Sequence, residues 1–210
     1  MTDRTCVVPA GAARALVLAS ASATRAQLLA RAGVAFESVS PAVDEGAVRT
    51  SLIAEGADAR AIAETLADLK ARRISERRPE CLVIGADQVL DCEGRFYEKP
   101  RDREQARAQL RSLCGRRHRL TSSVCVVRAA TSLWHHTDSA ELEMRSFSDQ
   151  FLDWYLDQVG EAACDSVGAY QLESLGAQLF HRVEGDPFTI LGLPLLPLLD
   201  FLREHGIVTP

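Results

Sequence analysis

The sequence has little of what marks secreted, membrane-bound or zinc-stabilised proteins. Its six cysteines include no Cys-x-x-Cys pair, and their spacing does not resemble a zinc ribbon or finger. No apolar run approaches the length needed to cross a membrane, and residues 1–14 lack the uninterrupted apolar stretch of a secretory signal. We therefore expect the protein to act in a reducing cytoplasm, with no membrane partner.

An excess of positive charge is also missing, since the formal net charge is -5. Sequence-independent nucleic-acid binding normally needs a basic surface, so we expect no nucleic-acid partner. The arginine pairs at 72–73 and 77–78 are interpreted as the solvated end of a helix. A small anionic ligand is still compatible with this composition, because a few cationic side chains can make one cleft positive on an acidic protein.

Lysine is the scarcest charged residue, with Lys70 and Lys99 as its only occurrences and arginine supplying all other positive charge. A lysine is a compact point charge that suits phosphate oxygens, so its use at only two positions makes both candidate phosphate ligands. The alternative interpretation is that both are ordinary surface residues.

The 210 residues, 47% of them apolar and 25% charged, suffice for one large domain or two closely joined lobes. Short apolar runs predict strands at 16–19, 36–40, 82–86, 118–128, 133–144 and 177–183. Apolar periodicity and capping signals predict helices at 24–32, 59–76, 103–112, 149–158 and 195–205. Alternating strands and helices with a more antiparallel middle predict an α/β protein with a mixed sheet.

A turn of small residues separates the first predicted strand from the first helix. The backbone N–H groups at a helix N-terminus form a general anion site, to which Ser20, Ser22 and Arg25 add side-chain donors. The turn therefore indicates a phosphate site, although serines before a helix are more often caps.

Two acidic positions are candidates for metal binding or catalysis. Asp44 and Glu45 are expected in an acidic loop, where such pairs more often face solvent than bind a metal. Asp87 follows the predicted strand 82–86, and ligands collect at the C-terminal ends of strands in α/β proteins. The alternative role of Asp87 is to cap the following turn.

These candidates fall within a series of short motifs that resembles the Maf family in the same order along the chain. The opening, Leu-Val-Leu-Ala-Ser-Ala-Ser-Ala-Thr-Arg at 16–25, is similar to the family's Leu-Ala-Ser-x-Ser-Pro-Arg-Arg. The later matches are Val-Asp-Glu at 43–45, Leu-Lys-Ala at 69–71, Ile-Gly-Ala-Asp-Gln-Val at 84–89, Glu-Lys-Pro at 98–100, Leu-Cys-Gly-Arg-Arg-His at 113–118, Gly-Ala-Tyr at 168–170, Glu-Gly-Asp at 184–186 and Leu-Gly-Leu-Pro-Leu at 191–195. The similarity spans 16–206, which predicts an N-terminal extension at 1–14 and a Maf-like domain at 15–210.

The resemblance implies a nucleoside triphosphate pyrophosphatase, a hydrolase that produces a monophosphate and pyrophosphate and keeps the nucleotide pool free of non-standard or excess nucleotides. It implies a twisted mixed sheet with flanking helices, as in the related inosine triphosphate pyrophosphatases, and two lobes around a deep nucleotide-binding groove. A homodimer and a divalent cofactor, Mg²⁺ or Mn²⁺, are also expected from the family.

The resemblance also assigns roles to the candidate residues. The groups expected to hold or neutralise the triphosphate are Ser20, Arg25, Lys70 and Lys99. Glu45 and Asp87 are expected to bind the metal or orient the attacking water. We prefer Asp87 as general base and Glu45 as metal ligand, a division of roles that the sequence leaves open.

Three positions set nucleobase preference in the family, and they correspond to Thr24, Gln88 and Glu173. The branch that takes 7-methylguanosine triphosphate tends toward Trp, Gln and Glu there, whereas the thymidine and uridine branch has Arg, Thr and Gln. A carboxylate at Glu173 can accept hydrogen bonds from both N1–H and the amine of guanine. We therefore expect a guanine-type or modified purine nucleotide, although Thr24 replaces the aromatic face of the Trp.

Two other interpretations are compatible with the sequence. One is an inosine or xanthosine triphosphate pyrophosphatase with the same general architecture and reaction. The other is a non-catalytic protein that binds nucleotides or a division component and blocks septum formation. The presence of the full set of predicted phosphate and metal ligands argues against a catalytically inactive protein.

Overall fold

The computed structural model describes residues 15–209, within which seven strands form one sheet flanked by seven α-helices. The strands are β1 (Leu16–Ala19), β2 (Glu37–Ser38), β3 (Leu82–Cys92), β4 (Arg95–Tyr97), β5 (Arg117–Arg128), β6 (Thr131–Met144) and β7 (Phe180–Glu184). The helices are α1 (Ala23–Arg31), α2 (Glu45–Ala54), α3 (Ala59–Ser75), α4 (Arg103–Leu113), α5 (Asp149–Val159), α6 (Pro187–Ile190) and α7 (Leu195–Glu204). The predicted extension at 1–14 lies outside the described residues.

The sheet is mixed, which confirms the predicted α/β fold class. Its order is β2-β1-β3-β5-β6-β7, and β4 pairs with β3. β1 is parallel to β2 and β3, and all other pairs are antiparallel. Within residues 15–209, no helix combines the length and the apolar character that crossing a membrane requires.

One edge of β3 has a gap between two partner strands. β1 pairs with its beginning, Leu82–Gly85, and β4 pairs with its end, Leu90–Cys92. Neither strand pairs with residues 86–89, while the other edge of β3 is paired with β5 from Val83 to Asp91. The gap leaves room for a ligand to approach the middle of the strand.

Asp87 lies inside β3 and not after its end, so that part of the sequence prediction was wrong. The strand continues because β5 pairs with it beyond the point where β1 stops. The parallel pairing with β1 nevertheless ends at Gly85, so Asp87 still lies beyond the carboxyl end of β1. The local position of the acid therefore agrees with the rule for ligand sites in α/β proteins.

Successive residues of β3 point to opposite faces of the sheet, as the pleat of a strand requires. Val83 and Val89 pack with residues of α3, whereas Ile84 and Ala86 join the cluster that contains α1 and α7 residues. Asp87 consequently faces α3, and its neighbour Gln88 faces the opposite side.

Glu45 begins helix α2, so the prediction of an acidic loop at this position was wrong. Asp44 is the N-cap, and its Oδ1 accepts a hydrogen bond from Ala47 N at 3.0 Å. Only Val48 and Leu52 of this helix pack against the core cluster around α3. The apolar stripe is therefore too short to give a clear helical period in the sequence.

Two smaller differences occur near the C-terminus. β7 begins at Phe180, later than the predicted 177, because Leu175–Leu179 forms a 3₁₀ helix. The short helix α6 (Pro187–Ile190) was not predicted, since one turn is too short to show periodicity.

Candidate active site

A groove of about 470 Å³ lies at the gap in the sheet. Its lining includes every site residue predicted from the sequence, namely Ser20, Thr24, Arg25, Glu45, Lys70, Asp87, Gln88, Lys99 and Glu173. The fold thus gathers residues from distant parts of the chain around one cavity. The role of each residue stays a prediction.

The groove contains a buried lysine between two carboxylates. Lys70 Nζ lies 2.6 Å from Asp87 Oδ1 and 2.8 Å from Glu45 Oε2. Lys70 and Asp87 are buried, whereas 43% of the Glu45 side chain is exposed. A buried charge is costly without a partner, so the two carboxylates stabilise the lysine in this position.

The two carboxylates fit the predicted divalent metal. Asp87 Oδ2 is buried and has no hydrogen-bond partner among residues 15–209, and a cation shared with Glu45 would satisfy it. No cluster of three or more His, Cys, Asp or Glu side chains in that part of the chain is arranged to hold a metal ion. The other ligands would therefore be phosphate oxygens and water, which is a common arrangement for Mg²⁺.

Arg25 joins three parts of the groove wall. Its Nε donates to Gly192 O at 2.7 Å, and its Nη1 donates to Ala86 O at 3.0 Å, inside the gap of β3. Burial lowers the pKa of Arg25, while the charges of Asp87 and Glu45 oppose that shift. With Nε and Nη1 bound to carbonyls, Nη2 is the nitrogen left to meet the predicted phosphate.

The serines before α1 have different positions. Ser22 is the N-cap, and its Oγ accepts from Arg25 N at 3.3 Å, so the capping interpretation holds for this residue. Ser20 is buried, and its Oγ accepts from Ser22 N at 3.2 Å and from Arg25 Nη1 at 3.4 Å. Ser20 therefore lies where the turn, the arginine and the groove meet.

Lys99 follows β4 and lines the groove. Its side chain reaches solvent along the groove, but the surrounding walls desolvate the ammonium and lower its pKa. Repulsion from Arg25 and Lys70 lowers the pKa further, whereas Asp165 and Glu45 raise it. The positive charges of Lys99, Arg25 and Lys70 thus act on one another within the groove, an arrangement that favours an anionic ligand.

The amide of Gln88 is held in one orientation. Its Nε2 lies 3.0 Å from Ser122 Oγ, 3.1 Å from Thr189 O and 2.9 Å from Ile190 O. These three acceptors occupy the amide nitrogen, so the carbonyl oxygen Oε1 is the group available to the groove, near Gly192.

Thr189 is itself held in place by two acids, which accept hydrogen bonds from its hydroxyl group. Thr189 Oγ1 lies 3.0 Å from Asp138 Oδ2 and 3.2 Å from Asp186 Oδ2. Asp186 also caps α6 by accepting from Thr189 N at 2.8 Å. Helix α6 is therefore anchored to β6, and it holds Gln88 in place.

The segment that carries Glu173 is held by a buried histidine. His118 Nε2 lies 2.8 Å from Tyr170 Oη, and burial lowers the pKa of His118 to about 4. Gly168 has a φ of 78° and would place a Cβ 2.7 Å from the Tyr170 ring, so this turn requires glycine. Glu173 is exposed at the end of this segment. The sequence marked His118 and Tyr170 only as landmarks of the resemblance.

Arg49 is a buried charged residue of this groove that sequence reasoning missed. It is buried on α2 and lines the groove, with Nη2 3.7 Å from Asp87 Oδ2. No signal in the sequence distinguishes it from the many other arginines, because the helix that carries it was not predicted.

Comparison with known proteins agrees with this fold and groove. The family model described as Maf-like protein matches residues 15–205. The chain belongs to the Maf family. The span of the match agrees with the range of motifs found in the sequence, so the resemblance is confirmed.

Curated relatives of this Maf-like chain have names that describe nucleotide hydrolysis. It is 58% identical over 194 residues to the nucleoside triphosphate pyrophosphatase of Paramagnetospirillum magneticum, covering 92% of this chain and 100% of the relative. It is 52% identical over 194 residues to the protein of that name in Caulobacter vibrioides, with 92% and 97% covered. It is 49% identical over 193 residues to the 7-methyl-GTP pyrophosphatase of Rhizobium meliloti, with 92% and 97% covered.

Proposed function

We propose that the protein hydrolyses a nucleoside triphosphate to a monophosphate and pyrophosphate in the groove at β3. The observation that carries this proposal is the buried Lys70 between Asp87 and Glu45, inside a cavity lined by further cationic groups. The names of the relatives support the same reaction. The enzyme is a hydrolase that acts on a phosphoric anhydride bond.

In the mechanism we propose, Asp87 accepts a proton from water as the water attacks the α-phosphorus in line with the leaving group. The bond from the α-phosphorus to the bridging oxygen breaks, and its electron pair leaves with pyrophosphate. A divalent cation held by Glu45 and Asp87 would neutralise phosphate oxygens during this step. Lys70 and Lys99 stabilise the charge that develops, which is the main requirement of phosphoryl chemistry.

The substrate we propose is a guanine-type nucleotide, including 7-methyl-GTP. Gln88 presents its carbonyl oxygen to the groove, and Glu173 presents a carboxylate, so both groups accept hydrogen bonds. Guanine offers N1–H and an exocyclic amine on one edge, whereas thymine and uracil offer one N–H. An edge rich in donors therefore matches these two acceptors better. Two relatives named 7-methyl-GTP pyrophosphatase, at 49% and 48% identity, support this choice.

The test is pyrophosphate release from guanosine, 7-methylguanosine, thymidine, uridine, inosine and xanthosine triphosphates with Mg²⁺ or Mn²⁺. Wild type is compared with Asp87→Asn and with Asp91→Asn, which changes an acid on the same strand outside the groove lining. We expect release that Asp87→Asn abolishes and Asp91→Asn keeps, with the guanine nucleotides preferred.

The other outcomes separate the alternatives. A preference for inosine or xanthosine triphosphate would assign the enzyme to the related pyrophosphatases. No release from any nucleotide by the folded protein would favour the non-catalytic protein that inhibits septum formation. Action in the cytoplasm and a homodimer stay predictions.

A further inference from the structure

Arg49 has the features of a residue that binds an anionic ligand. Only 9% of its side chain is exposed, and its Nε is buried without a hydrogen-bond partner among residues 15–209. Its Nη2 lies 3.7 Å from Asp87 Oδ2, and its Nη1 lies 4.0 Å from Glu98 Oε1. Both distances exceed hydrogen-bond length, so the carboxylates offset the charge of the guanidinium without using its donors.

An unmade hydrogen bond on a buried donor is costly, and the Nε–H of Arg49 has lost water without gaining a partner among residues 15–209. The cost is avoided when a ligand with several acceptor oxygens enters the groove. The planar fork of a guanidinium matches a phosphate group in particular, because two parallel N–H groups can meet two oxygens.

The position of Arg49 indicates which phosphates it meets. Gln88, with its free carbonyl oxygen, faces the α6 side of the sheet, and Asp87 faces the α3 side. Arg49 lies on that second side, near Asp87 and Glu98. A nucleotide with its base at Gln88 and its α-phosphorus at Asp87 would extend its remaining phosphates toward Arg49.

We propose that Arg49 binds the β- and γ-phosphates of the substrate and thereby the pyrophosphate leaving group. This inference rests on the proposed function and adds a residue to it. When the bond to the bridging oxygen breaks, negative charge accumulates on the leaving pyrophosphate, and a guanidinium at that end stabilises it. The nucleoside monophosphate product lacks both of these phosphates, so we expect Arg49 to contribute less to its binding than to that of pyrophosphate.

The test uses inorganic pyrophosphate and guanosine monophosphate as separate probes, with binding measured by calorimetry at saturating Mn²⁺. Wild type is compared with Arg49→Met, which keeps the aliphatic volume, and with Arg49→Lys, which keeps the charge but not the fork. We expect Arg49→Met to weaken pyrophosphate binding roughly 10- to 100-fold, as expected for lost charge-assisted bonds, and Arg49→Lys to recover part of it. Monophosphate binding should weaken clearly less than pyrophosphate binding in both variants.

The matched control is Arg60→Met, which removes an exposed arginine that bonds Glu64 outside the groove lining. It should bind both probes like wild type. Thermal unfolding of each variant checks that the fold is intact, and Arg49→Lys serves if Arg49→Met does not fold. Equal weakening of both probes, or no change in pyrophosphate binding, would overturn the proposal. If Arg49 acted only on the charge of Asp87, Arg49→Met would instead tighten Mn²⁺ binding and leave pyrophosphate binding unaltered.

Because the readout is binding, this inference and the proposed reaction fail separately. If the enzyme is active but its Arg49→Met variant binds pyrophosphate as wild type does, the proposed role of Arg49 is refuted and the proposed reaction stands. If the protein binds pyrophosphate through Arg49 but hydrolyses no nucleotide, the role of Arg49 in binding stands and the proposed reaction is refuted.

Discussion

Gly85 lies directly against Ala67, so closely that a Cβ on Gly85 would stand 2.1 Å from the Ala67 carbonyl oxygen. Helix α3 therefore approaches β3 to a distance that only glycine permits. Lys70 follows Ala67 by one turn, on the face that meets the strand. This close contact is what lets a lysine on the helix reach Asp87 on the strand.

Gly85→Ala should push α3 away from β3, because the new methyl group meets backbone that cannot rotate aside. We expect a loss of roughly 1–3 kcal/mol in the free energy of unfolding, as for an overpacked core, and reduced pyrophosphate release. Urea unfolding measures the first effect. The control is Gly46→Ala, where a Cβ meets its nearest atom at 3.7 Å. Equal stability of the two variants would contradict this explanation.

Lys70→Met should leave the buried Asp87 without its main counter-charge. We expect the free energy of unfolding to fall by about 3 kcal/mol, since removing one partner of a buried ion pair leaves the other uncompensated. Mn²⁺ should then raise the Tm more than it does in wild type. The double variant Lys70→Met with Asp87→Asn should recover part of the lost stability. If it recovers none, the pair is not coupled.

Stability should fall in mild acid because His118 is neutral in the fold. Burial lowers its pKa to about 4, below the ordinary 6.5, so the unfolded chain binds the proton first. The contribution of neutral His118 to the free energy of unfolding is fully present above pH 6.5. It is lost as the pH falls toward 4, and the total loss is about 3 kcal/mol. Urea unfolding of wild type and His118→Gln between pH 7.5 and 4.5 isolates this effect, since the acids titrate in both proteins. If the free energy of unfolding changed with pH in the same way in both proteins, this explanation would be refuted.

Ser122→Ala should loosen the amide of Gln88 and relax nucleobase choice. Ser122 Oγ accepts from Gln88 Nε2 at 3.0 Å and donates to Thr189 O at 2.7 Å. We expect the preference for guanosine over thymidine triphosphate to fall roughly 10-fold, because the substitution removes one hydrogen bond that orients Gln88 toward the nucleobase. The kcat should change little. The control is Ser123→Ala, whose hydroxyl bonds Thr137 and does not line the groove. An equal loss of nucleobase preference in both variants would show that the effect is not specific to Gln88.

Short-range patterns in the sequence predicted most of the fold. The apolar runs located β1, β5 and β6, and the periodicity of α3 located its ends to within one residue, because these signals depend on neighbours along the chain. The same local signals failed at α2 and α6, which are short or bury only a narrow stripe. They also ended β3 too early, because its extension is stabilised by pairing with β5.

The sequence by itself determined which residues are available for phosphate and metal chemistry, since scarce lysines and ordered motifs are visible without a fold. Only the tertiary structure decided how they are arranged. Arg25 binds carbonyls at Ala86 and Gly192, Gln88 turns its oxygen to the groove through contacts with α6, and Arg49 enters the site on an unpredicted helix. These contacts join residues far apart in the chain, so they leave no periodic or local signature and form only when the chain is folded.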